Sequence, residues 1–408
     1  MGSQRYVTLG PDHPLTIGHT QAGLLHGQDS PNLTYCAYLP DKMRELGGLS
    51  DEALAECERA SDFVVRAGEY CAKTGVGDAV AQLLLCIEAV STVCAEYYAT
   101  TCTKTLDYAA AIASGCSSPD AKHEAIALDT IAALRSFTAG THETLTREEL
   151  VAVNATITHS NHTADLCGKV RDRPVWIGRN ILDARYVAPP EDTLNEYVDD
   201  IVQSLNDDTW PVNFMARSAL AHLQLVSVHP FVDGNGRVGR ALWLRMLQRD
   251  GSAGGLVIPA TAPLLMRWPG YIYALESARS TDGPADPSEF VQLAAWCCGM
   301  ASGKTMRLTA YVRHLLREWP GRIPEMDTVT SKALAAFAAT PLMTQAMLQD
   351  KLSCDVSALL ECLVEADILQ RRKSRYGDVD VYVAHELLRA VENFQTMHGY
   401  PKQVDWID

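Results

Sequence analysis

The reading of this chain turns on His229-Pro-Phe-Val-Asp-Gly-Asn-Gly-Arg-Val-Gly-Arg240. An apolar periodicity (Phe214, Met215, Ala219, Leu220, Leu223, Val226) predicts a helix running up to it, which Pro230 ends. Gly234 and Gly236 flank Asn235, so the backbone can take positive φ and come close to an anion. From Arg237 a second helix is expected, its N-terminus aiming free N–H groups and the positive end of its dipole at the loop. Arg237 and Arg240 stand three apart on that helix and can hold more than one phosphate. Asp233 is a hard oxygen ligand suited to a Mg²⁺ between phosphates. His229, with an unperturbed pKa of about 6.5, suits the removal of a proton from an attacking hydroxyl.

A competing pattern overlaps these residues. Gly234-x-Gly-x-x-Gly239 fits a dinucleotide fingerprint, but that fingerprint needs a preceding strand and a βαβ unit. Here the preceding residues have helical period, and the next β-like run, Gly255-Leu-Val-Ile-Pro, carries no acid at its end. A plain glycine-rich turn between helices leaves His, Asp, Asn and two Arg within twelve residues unexplained.

Around this centre the chain reads as mostly helix. Periodic stretches cover Asp51–Lys73, Asp78–Thr103, Ala121–Phe137, Leu194–Leu205 and Asn213–Val228, and Thr146-Arg-Glu-Glu149 has the form of a capping box. Residues 168–190 break the pattern: Gly168–Arg171 and Arg173–Gly178 are β-prone, Pro189-Pro190 closes the segment, and a small hairpin with an exposed Trp176 is expected. The expected organisation is an irregular arm at 1–35, a helical region at 36–140, a catalytic core at 141–305, a linker helix region at 306–338 and a separate domain at 339–408. Within 339–408, a pair of short helices (344–351 and 355–366) precedes a hairpin (368–372 and 379–383), the order of a winged helix. The fold class expected is therefore mainly α, with a small β-hairpin flap and a C-terminal α+β winged-helix domain.

Composition limits the partners. The 408 residues are 47% hydrophobic and 21% charged, ordinary for globular domains, and the formal net charge is -15. Repulsion then opposes general attachment to nucleic acid or anionic lipid. Residues 340–408 hold 7 Lys and Arg against 11 Asp and Glu, and the second short helix carries Asp355, Glu361 and Glu365 without a cation. Only Arg371, Arg372, Lys373 and Arg375 form a basic cluster. Nucleic acid is thus not expected as a partner, and the winged helix is read as a protein-docking or dimer-supporting module, with a homodimer considered. No uninterrupted apolar run reaches 18 residues, so no membrane span is expected. The twelve cysteines show no C-x-x-C pair, and a reducing cytoplasm is expected. His159 and His162 lack a third ligand nearby in sequence and are read as surface or capping residues.

The twelve-residue stretch matches every defined position of the Fic signature, H-P-F-x-[DE]-G-N-G-R-x-x-R. Leu39-Pro40, Glu88–Glu96, Val175-Trp-Ile-Gly178, Tyr186-x-x-Pro-Pro190 and Tyr271–Leu275 extend the resemblance over roughly residues 35–300. The chain resembles Fic-family protein adenylyltransferases. The resemblance implies that His229 deprotonates a target hydroxyl attacking the α-phosphate of ATP. Asp233 would hold Mg²⁺, and Gly234, Asn235 and Gly236 would form an anion cradle, with Asn235 also binding phosphate. Arg237 and Arg240 would take the β- and γ-phosphates. A target protein would align on the flap, residues 168–190, by strand addition. Tyr271 and Tyr273 are candidates for stacking on adenine, with helix packing as the alternative. Regulated members carry [ST]-x-x-x-E-[GN] on a helix whose Glu pairs with the second motif arginine. Thr92 and Glu96 have that spacing and would share one helix face, with Tyr97 in place of Gly or Asn. Alternatives within the same site are removal of AMP and transfer of other nucleotide or phosphate groups. One from a different class is a winged-helix transcriptional regulator with the Fic domain as sensor.

Overall fold

The computed structural model describes residues 6–9, 35–46, 48–139, 144–178, 181, 184–249, 253–279 and 286–396. Most of the arm expected at 1–35, and four residues of the flap, lie outside them. In chain order the elements are β1 (Tyr6–Leu9), β2 (Tyr35–Tyr38), α1 (Asp51–Lys73), α2 (Gly77–Cys94), α3 (Cys102–Ala113), α4 (Lys122–Ala139) and α5 (Arg147–Thr158). There follow β3 (Trp176–Ile177), β4 (Tyr186–Val187), α6 (Leu194–Asn206), α7 (Phe214–Val228), α8 (Asn235–Arg249), α9 (Thr261–Met266), α10 (Trp268–Ala278) and α11 (Ser288–Glu318). The last are α12 (Thr328–Ala339), β5 (Leu342–Thr344), α13 (Gln345–Leu352), α14 (Ser357–Glu365), β6 (Gln370–Lys373), β7 (Asp380–Val383) and α15 (His385–Gln395). The fold is mainly helical, as expected. Within the stretch expected to be irregular, Tyr6–Leu9 is a strand, antiparallel to β2 with Tyr6 opposite Tyr38. The chain divides into two compact units: Met1–Arg59, Gly140–Asp250 and Arg267–Trp296; and Ala60–Ala139, Gly251–Met266 and Cys297–Asp408.

In the first unit α7 and α8 pack along one another. Nearly every residue of both is buried, which is why their apolar pattern is broader than one stripe. Gly239 permits the close approach, since a Cβ there would lie 2.9 Å from both His222 Cδ2 and Val226 Cγ1. His222 is stacked between Trp243 and Tyr271 at ring separations of 5.5 and 5.8 Å, with Phe290 edge-on. Burial holds the His222 imidazole well below its usual pKa, aided by the charges of Arg240 and Arg279. Around the pair, α5 begins with the expected capping box, in which Thr146 Oγ1 accepts from Glu149 N–H and Glu149 accepts from Thr146 N–H. Glu149 also takes a hydrogen bond of 2.8 Å from Arg245 of α8, tying the start of α5 to that helix. The flap pairs Trp176 with Val187 and Ile177 with Tyr186. Trp176 is not exposed as expected. It is buried with Tyr35, Ala37, Ile181 and Val187, because alternation along the two-residue strand turns it inward and leaves Ile177 outside.

The second unit is built around α2, which packs against α3, α4, α9, α12 and α15. Its 18 residues have a mean hydropathy of 1.5, long and apolar enough to cross a membrane by length and composition alone, but 67% of it is buried inside the protein. Glu88 in this core is satisfied at the start of α9, where it accepts from Thr261 N–H (3.1 Å) and Thr261 Oγ1 (2.5 Å). Near the C-terminus the two short helices and the hairpin are present, and Leu342–Thr344 adds a third strand in the order β5-β7-β6. The turn of the hairpin is docked rather than free. Tyr376 meets Tyr108 edge-on at 5.2 Å, and Arg372 bonds the wholly buried Asp107 of α3 at 2.8 Å.

Candidate functional site

The loop between α7 and α8 is held by its own side chains. The Asn235 carboxamide accepts from Phe231 N–H (2.9 Å) and donates to Phe231 O (2.8 Å), while the Phe231 ring is buried beneath. The resemblance implied a phosphate contact for Asn235, but both ends of its amide are engaged on the loop backbone, so its observed work is to fix the loop's shape. Gly234 takes φ +81 and Gly236 does not take positive φ, because α8 has already begun at Asn235. A Cβ on Gly234 would lie 3.0 Å from Asn154 Nδ2 and from Thr158 Cγ2, so α5 also needs a glycine there. Asn154 completes the clamp: its Nδ2 donates to Asp233 O (2.9 Å) and its Oδ1 accepts from Gly168 N–H (3.0 Å).

His229 is the C-cap of α7, in left-handed conformation at φ 52 and ψ 57. Its Nδ1 lies 3.2 Å from Val226 O. A carbonyl can only accept, so this contact places the proton on Nδ1 and leaves the Nε2 lone pair as the ring's acceptor. Burial pushes the His229 pKa down to about 4, against the opposing bond to Val226, with Arg171 and Arg279 lowering it further. The imidazole is therefore neutral at physiological pH. Arg171, which the sequence reading left inside the hairpin, is buried and donates to His229 O (2.8 Å), Arg173 O (2.9 Å) and Pro189 O (2.6 Å). Val170 bridges to Phe231, so this segment pairs with the loop rather than within the flap. Tyr186 of the flap donates to Ser227 O, and the Arg279 guanidinium lies over its ring at 4.3 Å.

The Asp233 carboxylate lies one residue before Gly234. Burial pushes its pKa up, but the hydrogen bond from His162, the charge of Arg237 and the Gly234 N–H outweigh this and hold it well below the usual carboxylate range. His162 Nε2 is 2.8 Å from Asp233 Oδ2, and Asn161 Nδ2 is 2.9 Å from the same oxygen. His162 is thus not the surface residue expected. The turn after α5, where both Asn161 and His162 N–H bond Thr158 O, swings it onto the loop, a placement sequence separation concealed. His159 is the C-cap of α5, as the capping reading had it. Arg237 and Arg240 are both buried; Arg237 donates to Ile157 O (2.8 Å) and reaches Asp233 Oδ2 at 3.3 Å.

A carboxylate held well below the usual range and the Asn161 Oδ1, buried without a hydrogen bond among the described residues, offer hard oxygen donors, which fits Mg²⁺. Tyr271 sits in the aromatic core with its hydroxyl 3.3 Å from His222 Nε2, the packing alternative. Tyr273 is 62% exposed and borders a groove with Arg267 and Trp296. Thr92 is buried in α2, and Glu96 lies in the turn just beyond the helix end. The helix stops because Tyr97 takes φ 64, with Tyr98 N–H reaching back to Val93 O.

A profile of the Fic/DOC family matches residues 144–247. Over 85 residues the chain is 38% identical to protein adenylyltransferase fic-1 of Caenorhabditis elegans, covering 21% of this chain and 16% of that protein. Over 41 residues it is 56% identical to protein adenylyltransferase Fic of Drosophila melanogaster, covering 10% and 8%. These alignments span less than a fifth of either relative's length. The crystal structure of a Fic family protein from Desulfovibrio desulfuricans G20 superposes with a TM-score of 0.53 at 16% identity, covering 83% of this chain and 97% of that one, a likeness of fold.

Proposed function

We propose that this protein, a member of the Fic/DOC family through residues 144–247, transfers AMP from ATP to a hydroxyl side chain of a target protein. The observation that carries this reading is the His229 ring, neutral and with Nε2 as its acceptor, on the loop where Gly234 takes positive φ directly before α8. The target oxygen bonds to the α-phosphorus as its proton passes to Nε2, the bond from that phosphorus to the bridging oxygen breaks, and pyrophosphate leaves. The N–H groups at the start of α8 and the buried Arg237 and Arg240 supply fixed positive potential for the phosphates, which costs no reorganisation during the reaction. Asp233 would hold Mg²⁺, whose charge would neutralise phosphate oxygens. For docking of the target, the flap offers β3, which among the described residues pairs on one side only and presents Ile177 outward. Mass spectrometry after incubation with ATP and Mg²⁺ tests the reading: one AMP gained, by the protein itself or by a target, is expected, and any other adduct overturns it.

Restraint by Glu96 belongs to the same reading. Its support is Tyr97, which takes the left-handed backbone that Gly or Asn would favour at this place of the regulatory motif. Glu96→Gly is expected to raise autotransfer from labelled ATP; equal rates from two folded proteins would remove Glu96 as the brake. Near the C-terminus, a winged-helix-like arrangement is proposed to dock protein rather than nucleic acid, because Arg371, Arg372, Lys373 and Arg375 are already paired with acids.

A further inference from the structure

We infer that His162, with Asn161, is a positioning residue for the cation site: it locks the Asp233 carboxylate in one orientation, so that Oδ1 is presented to the metal–nucleotide. This rests on the reading of Asp233 as the metal ligand. Three side-chain donors converge on one oxygen: His162 Nε2 at 2.8 Å, Asn161 Nδ2 at 2.9 Å and Arg237 NH2 at 3.3 Å all reach Oδ2. Oδ1 takes none of these three, so the carboxylate is turned rather than merely surrounded. An aspartate side chain alone has a broad torsion about its carboxyl group. Fixing it requires donors on one oxygen from a separate element.

That element is the C-terminal end of α5, and it holds Asp233 at both ends. Asn154, one turn before the end of α5, grips the Asp233 carbonyl, while His162 and Asn161, just past it, grip the carboxylate. Thr158 joins the two grips, since its hydroxyl donates to Asn154 O (2.8 Å) and its carbonyl accepts from Asn161 N–H (3.2 Å) and His162 N–H (3.1 Å). Backbone and side chain of the ligand are therefore referenced to the same rigid helix, the arrangement by which outer partners orient a metal-binding carboxylate.

The inference is tested with His162→Ala and with His162→Gln, whose amide can donate in place of Nε2–H. Mn²⁺ affinity is read by electron paramagnetic resonance with a non-hydrolysable ATP analogue present, and folding by melting temperature. His162→Ala is expected to weaken Mn²⁺ about 10-fold or more, as loss of an outer partner usually does. The apparent KM for Mg²⁺ in autotransfer should rise by a similar factor while kcat at saturating Mg²⁺ changes little, and His162→Gln should restore most of the affinity. Unchanged Mn²⁺ affinity in a well-folded His162→Ala protein overturns the inference. Nitrogen hyperfine coupling from a ¹⁵N-labelled His162 overturns it differently, by putting the imidazole on the metal itself. Wild-type protein that binds no Mn²⁺ at all would bring down the cation reading of Asp233 first, and this inference with it.

Discussion

Two stretches of this chain look like anion sites by composition: the loop from His229 to Arg240, and the basic run Arg371-Arg-Lys-Ser-Arg375 near the C-terminus. In the loop, Arg237, Arg240 and the Asn235 carboxamide are buried, the carboxamide bonds the loop backbone, and the loop joins a neutral histidine to the start of α8. In the basic run every cation has an acid. Arg371 pairs with Glu361 and Asp380, Lys373 with Asp378 and Asp380, and Arg372 and Arg375 share Asp107. A count of positive charges does not make a phosphate site. The deciding feature is whether the donors are buried and held in place before the anion arrives.

The sharpest test of that contrast is His229→Ala. Transfer should fall by about 10²–10⁴-fold, the usual cost of losing a general base, while ATP affinity measured by calorimetry stays within about twofold. Undiminished transfer would remove the loop's claim to chemistry. Next in size is Gly234→Ala, which forces a side chain into left-handed backbone and against Asn154 and Thr158. A loss of about 3 kcal/mol in denaturant unfolding is expected, together with weaker nucleotide binding. A neutral outcome would mean that the loop is looser than its geometry shows.

In the basic run, Arg372→Ala should cost about 2 kcal/mol, because it leaves the buried Asp107 carboxylate short of a partner. Arg371→Ala, at solvent-exposed pairs with Glu361 and Asp380, should leave the melting temperature nearly unchanged. A gel shift on duplex DNA abolished by either substitution would break the comparison, by showing that these cations are available after all. A further test isolates the backbone component of the Gly234 argument. Tyr97 occupies left-handed backbone with its side chain mostly exposed, so Tyr97→Gly should stabilise by about 1 kcal/mol, seen as a higher melting temperature.

Local signals carried the sequence reading a long way. The helices at 51–73 and 214–228, the Thr146 capping box and the two short C-terminal helices all depend on neighbours within a few residues. Spacing and residue type express such neighbours directly. Other features depended on contacts between distant segments. Trp176 was expected outside because a two-residue strand has too short an alternation to say which face is covered; Tyr35 and Ala37, far away in sequence, cover it. His162 looked like a surface residue because its partner Asp233 stands 71 residues away. The partner of Arg372 was hidden because Asp107 lies 265 residues away in sequence. Backbone propensity and motif chemistry are therefore written in the chain. Which polar group meets which is decided only when tertiary packing brings remote segments within hydrogen-bonding reach, since hydrogen bonds and ion pairs act over a few ångströms of space and not along the sequence.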